Sequence, residues 1–311
     1  RYVEIMRQIA EGGVKKVIFA GYATDPLFYS HIEDIVEVAL DYNQITGFHT
    51  KAINISDRLA KLITKPSIAP LSYFSISVDS GNNETYNKVH GVPQSQAKLY
   101  DKVISNIRRL ADERTKSNAP LDISATYLLN SFNNSSEEVL KSIHDLRDAG
   151  VDLIRFTFPQ VPRGYSTSSN DSNIPSREQI KEYMEHLRPL IEQENNSSCQ
   201  VLILDLDGMH DVYEVSRSLP CFARYVFPSI GFDGWLSHCS ESAAPHFRDL
   251  AMGNLQEQDF WDVFYNYDVN NFKGGMAITC GKMEQLNCKC DRKEHVVNSR
   301  LKGSGVFDDI I

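Results

Sequence analysis

Between residues 15 and 207, short runs rich in β-branched and aromatic residues alternate with longer stretches in which apolar positions recur every three or four residues. The runs are KVIFA (16–20), GFHTKAIN (47–54), YFSISVD (73–79), DISATYLL (122–129), LIRFTF (153–158) and VLILDLD (201–207). Strand-like runs separated by helix-length segments predict a parallel sheet joined by helical crossovers, an α/β fold. After Asn134, Ser135 and Glu138 stand at capping-box spacing, Val139, Ile143 and Leu146 share a helical face, and Gly150 supplies the stop. Ser176 and Gln179 open another helix, whose Ile180, Met184, Leu187 and Ile191 face inward; Pro189 is expected to kink it or end it early. Leu99, Val103, Ile107 and Leu110 mark a third helix, and Ile32, Ile35, Val36 and Ala39 a fourth. The opening RYVEIMRQIAEGG is also amphipathic, so the chain begins within a helix.

After VLILDLD the alternation stops. RYVFPSIGFDGWLSHC reads as two extended segments joined near Phe232-Asp233-Gly234, where Asp-Gly favours the left-handed backbone of a hairpin turn. The remainder carries one helical signal, QDFWDVFYNY, in which Phe260, Trp261, Phe264 and Tyr265 are expected to pack. The chain thus divides into a βα-repeated part, 1–215, and an irregular part, 216–311.

A net charge of -9 and a pI near 5.5 supply no basic field for a phosphate backbone, which argues against nucleic acid and for a peptide or a small molecule. The chain has no apolar run of membrane-spanning length and no signal-peptide layout, so a cytoplasmic location is expected. Five of the six cysteines, Cys221, Cys239, Cys280, Cys288 and Cys290, fall in the irregular part. Clustered thiols in a reducing compartment point to metal, and the charged neighbours of Cys288 and Cys290 make a poor site for buried thiols. A four-thiolate set suits a [4Fe–4S] cluster or structural zinc, and spacing does not choose between them. Cys199, alone before a strand, reads as a buried thiol.

The C-x12-G-x4-C hairpin from Cys221 through Gly234 to Cys239, followed by AMGNLQEQDFWDVF and the distal cysteines, resembles the SPASM or twitch auxiliary-cluster extension of radical SAM enzymes. Upstream, FAGYATDPL is similar to that family's G-G-E-P-L motif, and SISVDSGNNETYNKVHG to its I-S-[LV]-D-G-x-x-x-E-x-H-x-x-x-R-G stretch. The resemblance spans residues 15 to 295. It implies a partial (β/α)6 TIM-like barrel with an irregular cysteine-rich C-terminal domain, S-adenosylmethionine as cofactor, and an auxiliary [4Fe–4S] cluster drawn from Cys221, Cys239 and two or three of the distal set. By that likeness Thr24 and Asp25 meet the cofactor's amino group, Ser77 and Asp79 lie near its ribose, and Arg155 faces its carboxylate or else pairs with an acid such as Asp122. It further implies a 5′-deoxyadenosyl radical that abstracts hydrogen from a peptide or small-molecule substrate, and an electron donor such as flavodoxin or ferredoxin.

Two departures stand out. The C-x-x-x-C-x-x-C motif that holds the family's S-adenosylmethionine-cleaving cluster is absent, and the resemblance places it on a strand upstream of Arg1; a natural pseudoenzyme is the other explanation. Met283 occupies a position that is cysteine in a complete SPASM tail. The rival reading is a non-catalytic barrel with a structural metal site that serves as a binding or scaffold protein. His90, Tyr127 and His238 are acid–base residue types without a context that makes them catalytic, and His238, beside Cys239, reads as exposed or as supporting a metal ligand.

Overall fold

The structure is a computed structural model that describes residues 1–21, 24–93, 98–159, 175–204, 223–271 and 300. These fall into two compact units. The larger holds six strands: β1 (Lys16–Phe19), β2 (Ile45–Thr50), β3 (Tyr73–Ser77), β4 (Asp122–Leu128), β5 (Leu153–Thr157) and β6 (Gln200–Ile203). Every adjacent pair is parallel, and the spatial order is the sequence order, β1-β2-β3-β4-β5-β6. Parallel neighbours require crossovers, here supplied in turn by α2 (Ile32–Asp41), α3 (Asp57–Ile63), α4 (Asn83–Val89) with α5 (Leu99–Ser117), α6 (Ser136–Asp148) and α7 (Arg177–Gln193). An order with no reversal is that of a barrel wall; a doubly wound sheet reverses at a switch point. The α/β class and the six parallel strands match the sequence reading.

Strand alternation sorts the residues onto two faces. Phe48, Phe74, Ile76, Ile123, Tyr127, Ile154, Phe156 and Val201 are buried on the helix-covered face, where the Phe48 and Phe74 rings lie 5.3 Å apart and those of Tyr127 and Phe156 4.9 Å apart. Each such side chain stabilises the fold by about 1.5–3 kcal/mol through burial. The opposite face is more open: His49, Ser75, Ser77, Ser124, Thr126, Arg155 and Thr157 lie there, along with Leu128 and Leu153.

Helix ends explain the lengths. Gly150, at φ +89, closes α6 with paired bonds from its own N–H to the Arg147 carbonyl and from Val151 N–H to the Leu146 carbonyl. Asn118, at φ +53, closes α5 in the same way, several residues beyond the expected stripe. At α7 both halves of the Ser176–Gln179 capping box form. The α6 box is only half made: Ser135 Oγ accepts from Glu138 N–H, while the Glu138 carboxylate is engaged elsewhere. Pro189 does not end α7, which runs on to Gln193. Leu187 and Ile191, on either side of it, are fully buried, and their burial offsets the roughly 3 kcal/mol that an interior proline costs.

The smaller unit contains α1 (Tyr2–Glu11), α8 (Ala223–Val226), β7 (Ser229–Ile230), β8 (Trp235–Ser237), β9 (Gly253–Asn254) and α9 (Phe260–Asn271). β7 and β8 form the expected hairpin, with Gly234 at φ +86, and β9 adds antiparallel to β8. α1 is fastened to the start of α9: Gln8 Oε1 accepts from Phe260 N–H, Gln8 Nε2 donates to Asp259, and Trp261 Nε1 donates to the Gln8 carbonyl, each at 2.8 Å. Gly12 leaves room for the Trp261 ring, since a Cβ there would fall 2.1 Å from it. Of the four aromatic residues expected to pack, Phe260 is buried, but Tyr265 is mostly exposed. Among the described residues no helix is long and apolar enough to cross a membrane.

Candidate functional site at the carboxyl ends of the strands

After β1, Gly21 and Thr24 approach each other closely. A Cβ on Gly21 would fall 1.4 Å from the Thr24 carbonyl oxygen, so only glycine fits. Thr24 itself is exposed. Asp25 fastens this loop to the end of β2: its carboxylate accepts from Leu27 N–H at 2.9 Å, Thr50 Oγ1 at 2.8 Å and Lys51 N–H at 2.6 Å. Asp25 is thus an anchor between two strand ends, with Thr50 as the partner that the sequence did not single out.

Asp79, just past β3, serves β3 and β4 similarly. Its backbone is left-handed at φ +53, its carboxylate accepts from Leu128 N–H at 2.6 Å, and its carbonyl accepts from Asn133 Nδ2 at 2.9 Å. His90 Nε2 approaches to 3.9 Å, and the His90 ring packs on Tyr86 with centroids 4.3 Å apart. Burial raises the Asp79 carboxyl to about 6, against the pull of the Leu128 amide and of Lys51. Burial lowers His90 to about 4, and Lys51 lowers it further. At neutral pH His90 is therefore uncharged, and the 3.9 Å approach is not an ion pair. Burial also raises the Tyr86 hydroxyl, which has no hydrogen-bond partner among the described residues. Tyr127 is structural: its hydroxyl donates to the Asn133 carbonyl at 2.8 Å. His238 is buried in the smaller unit, not exposed.

Ser77 and Arg155 meet through register. Ser77 pairs with Thr126, and Thr126 pairs with Arg155, so the three occupy one transverse row on the open face. With strands about 4.8 Å apart, the outer two backbones stand about 10 Å apart. An Arg155 Nη donates to Thr126 Oγ1 at 3.1 Å. Arg155 does not reach Asp122, which pairs with Tyr73 four residues earlier along β4. Thr126 escaped notice in the sequence, although the alternation in DISATYLL puts Ser124 and Thr126 opposite the buried Ile123, Ala125 and Tyr127. Lower on the same face, His49 Nε2 and the Tyr73 hydroxyl are 3.0 Å apart, and the Tyr73 ring lies over Gly47. Together these side chains offer hydroxyls and one fixed cation, a set suited to a polar anionic ligand.

Of the five clustered cysteines, Cys239 is described; it follows β8, half-buried, with its thiol 3.5 Å from Ser242 Oγ. Cys221, Cys280, Cys288 and Cys290 lie outside the described residues. Among the described residues no group of three or more His, Cys, Asp or Glu side chains could hold a metal ion. Cys199 is buried, as expected, and burial raises its thiol pKa.

No family model matches the chain, and no curated protein does. Solved structures do. Streptococcus suis SuiB bound to S-adenosylmethionine superposes with a TM-score of 0.58 at 17% identity, covering 89% of this chain and 64% of SuiB. SuiB bound to precursor peptide SuiA gives 0.56 at 17%, covering 85% of this chain and 57% of SuiB. The native anSMEcpe structure with bound AdoMet gives 0.53 at 15%, covering 85% and 70%. The chain spans less than two thirds of the length of SuiB. At these identities the common property is the fold.

Proposed function

We propose that this chain is the S-adenosylmethionine-binding barrel, with an auxiliary iron–sulfur segment, of a radical SAM enzyme acting on a peptide. The observation that carries the reading is the Ser77–Thr126–Arg155 row on the open face, in a fold shared with structures that hold S-adenosylmethionine. Arg155, pre-aimed by Thr126, is the counter-charge for the methionine carboxylate. Ser77 meets the ribose, and Asp79 fixes the strand end beside it. Asp25 acts by holding the loop headed by Thr24, whose backbone faces the amino group. A peptide is favoured over a small molecule because SuiB, of the same fold, binds a precursor peptide.

Cys239, with Cys221 and members of the 280–290 group, would hold the auxiliary cluster; the half-buried thiol after a hairpin suits a soft-metal ligand. The cofactors supply the radical that removes a substrate hydrogen, and the protein's part is to orient S-adenosylmethionine and keep water from it. Equilibrium dialysis of labelled S-adenosylmethionine against the 311-residue chain tests the reading. One saturable site is expected, displaced by S-adenosylhomocysteine; no saturable binding would refute it and favour the scaffold reading.

A further inference from the structure

Glu138, whose carboxylate the capping-box spacing assigned to its own helix, faces the loop between β3 and α4 instead. One carboxylate oxygen accepts from Gly81 N–H at 2.8 Å and Ser80 Oγ at 3.3 Å, the other from Asn82 Nδ2 at 2.8 Å and Thr85 Oγ1 at 3.0 Å. The fit is close: a Cβ on Gly81 would fall 2.5 Å from the Glu138 carbonyl oxygen. Asn82 is also the N-cap of α4, its side chain accepting from Thr85 N–H at 2.9 Å. α4 in turn carries Tyr86 and is followed by His90, whose ring packs on Tyr86 at 4.3 Å and approaches the Asp79 carboxylate to 3.9 Å. A left-handed non-glycine residue such as Asp79 persists only where its surroundings over-determine it.

We infer that Glu138 is a positioning residue for the S-adenosylmethionine seat, acting through the Ser80–Thr85 loop to hold Asp79, and with it the Ser77 end of β3, in the binding geometry. The inference deepens the functional reading above and rests on it. The Glu138 carboxylate is engaged by loop donors on both oxygens. Its effect passes through four hydrogen bonds to a loop that no other carboxylate grips among the described residues.

The test measures S-adenosylmethionine affinity by equilibrium dialysis, well below the melting temperature, for the wild-type chain and three variants. Glu138→Ala is expected to weaken binding by between about tenfold and about a hundredfold, the loss in affinity that removing an outer partner of a metal ligand typically causes. Glu138→Gln keeps one acceptor oxygen and is expected to fall between. Glu137→Gln, the exposed neighbour on the same helix, removes the same charge and is expected to bind as the wild type does. A merely structural role would lower the melting temperature of Glu138→Ala and leave the affinity of the folded protein unchanged. Wild-type affinity in folded Glu138→Ala, or in Glu138→Gln should the alanine variant not fold, would overturn the inference while leaving the functional reading intact. A wild-type chain that binds no S-adenosylmethionine would sink both.

Discussion

Asp79 and His90 are shifted in opposite directions by the same cause, removal from water. For Asp79 the folded value of about 6 lies above the ordinary 3.8, so its stabilising contribution is full below 3.8 and is lost as the pH rises through about 6. For His90 the folded value of about 4 lies below the ordinary 6.5, so its contribution is present above 6.5 and is lost as the pH falls through about 4. Between about 4 and about 6 the two slopes oppose each other. Asp79→Asn should therefore leave a stability that rises with pH across that window, and His90→Gln one that falls, each by up to about 1.4 kcal/mol per pH unit. Urea midpoints across the window check this, and parallel profiles for the two variants would contradict it. The sequence marked Asp79 as important through its motif. It did not show why, because the carboxylate's partner, Leu128 N–H, and its neighbour His90 lie 49 and 11 residues away, and only the fold brings them together.

At the scale of elements, the short β-rich runs found all six parallel strands, because β-branched and aromatic side chains suit a pleated surface with a buried face. Helix ends were less legible. Glu138 has capping-box spacing, yet four donors on a neighbouring loop compete for its carboxylate and win. Pro189 has the sequence signature of a helix end, and the burial of Leu187 and Ile191 overrides it. Pro189→Ala should consequently stabilise the fold by about 1–2 kcal/mol, as the restored N–H bond is partly offset by a freer unfolded chain. Phe74→Ala, which opens a cavity beside Phe48, should destabilise by about 3–5 kcal/mol. Denaturant unfolding of both variants checks these values; a destabilised alanine variant at position 189 would mean that the helix depends on its proline.

Across the whole molecule, the candidate site depends on strand register. Ser77 and Arg155 were singled out separately, but their shared row, and Thr126 between them, follow from pairings that a linear sequence does not state. The cysteines belong to this scale too. Anaerobic reconstitution is expected to load about four iron and four sulfide per chain. Cys239→Ser should lower both, whereas Cys199→Ser should change neither, because that thiol is buried and its pKa is raised by burial. Equal loading in all three proteins would remove Cys239 from the ligand set.

The proposed S-adenosylmethionine seat on the open face is tested most directly by comparing S-adenosylmethionine binding to the wild-type chain with binding to Arg155→Ala. A lost charge-assisted contact of about 1.5–3 kcal/mol predicts affinity weaker by at least about tenfold, with the fold intact by circular dichroism. Thr126→Val, which leaves the guanidinium present but no longer aimed, should show a smaller loss in the same direction. Equal affinity in the wild type and Arg155→Ala would contradict the account.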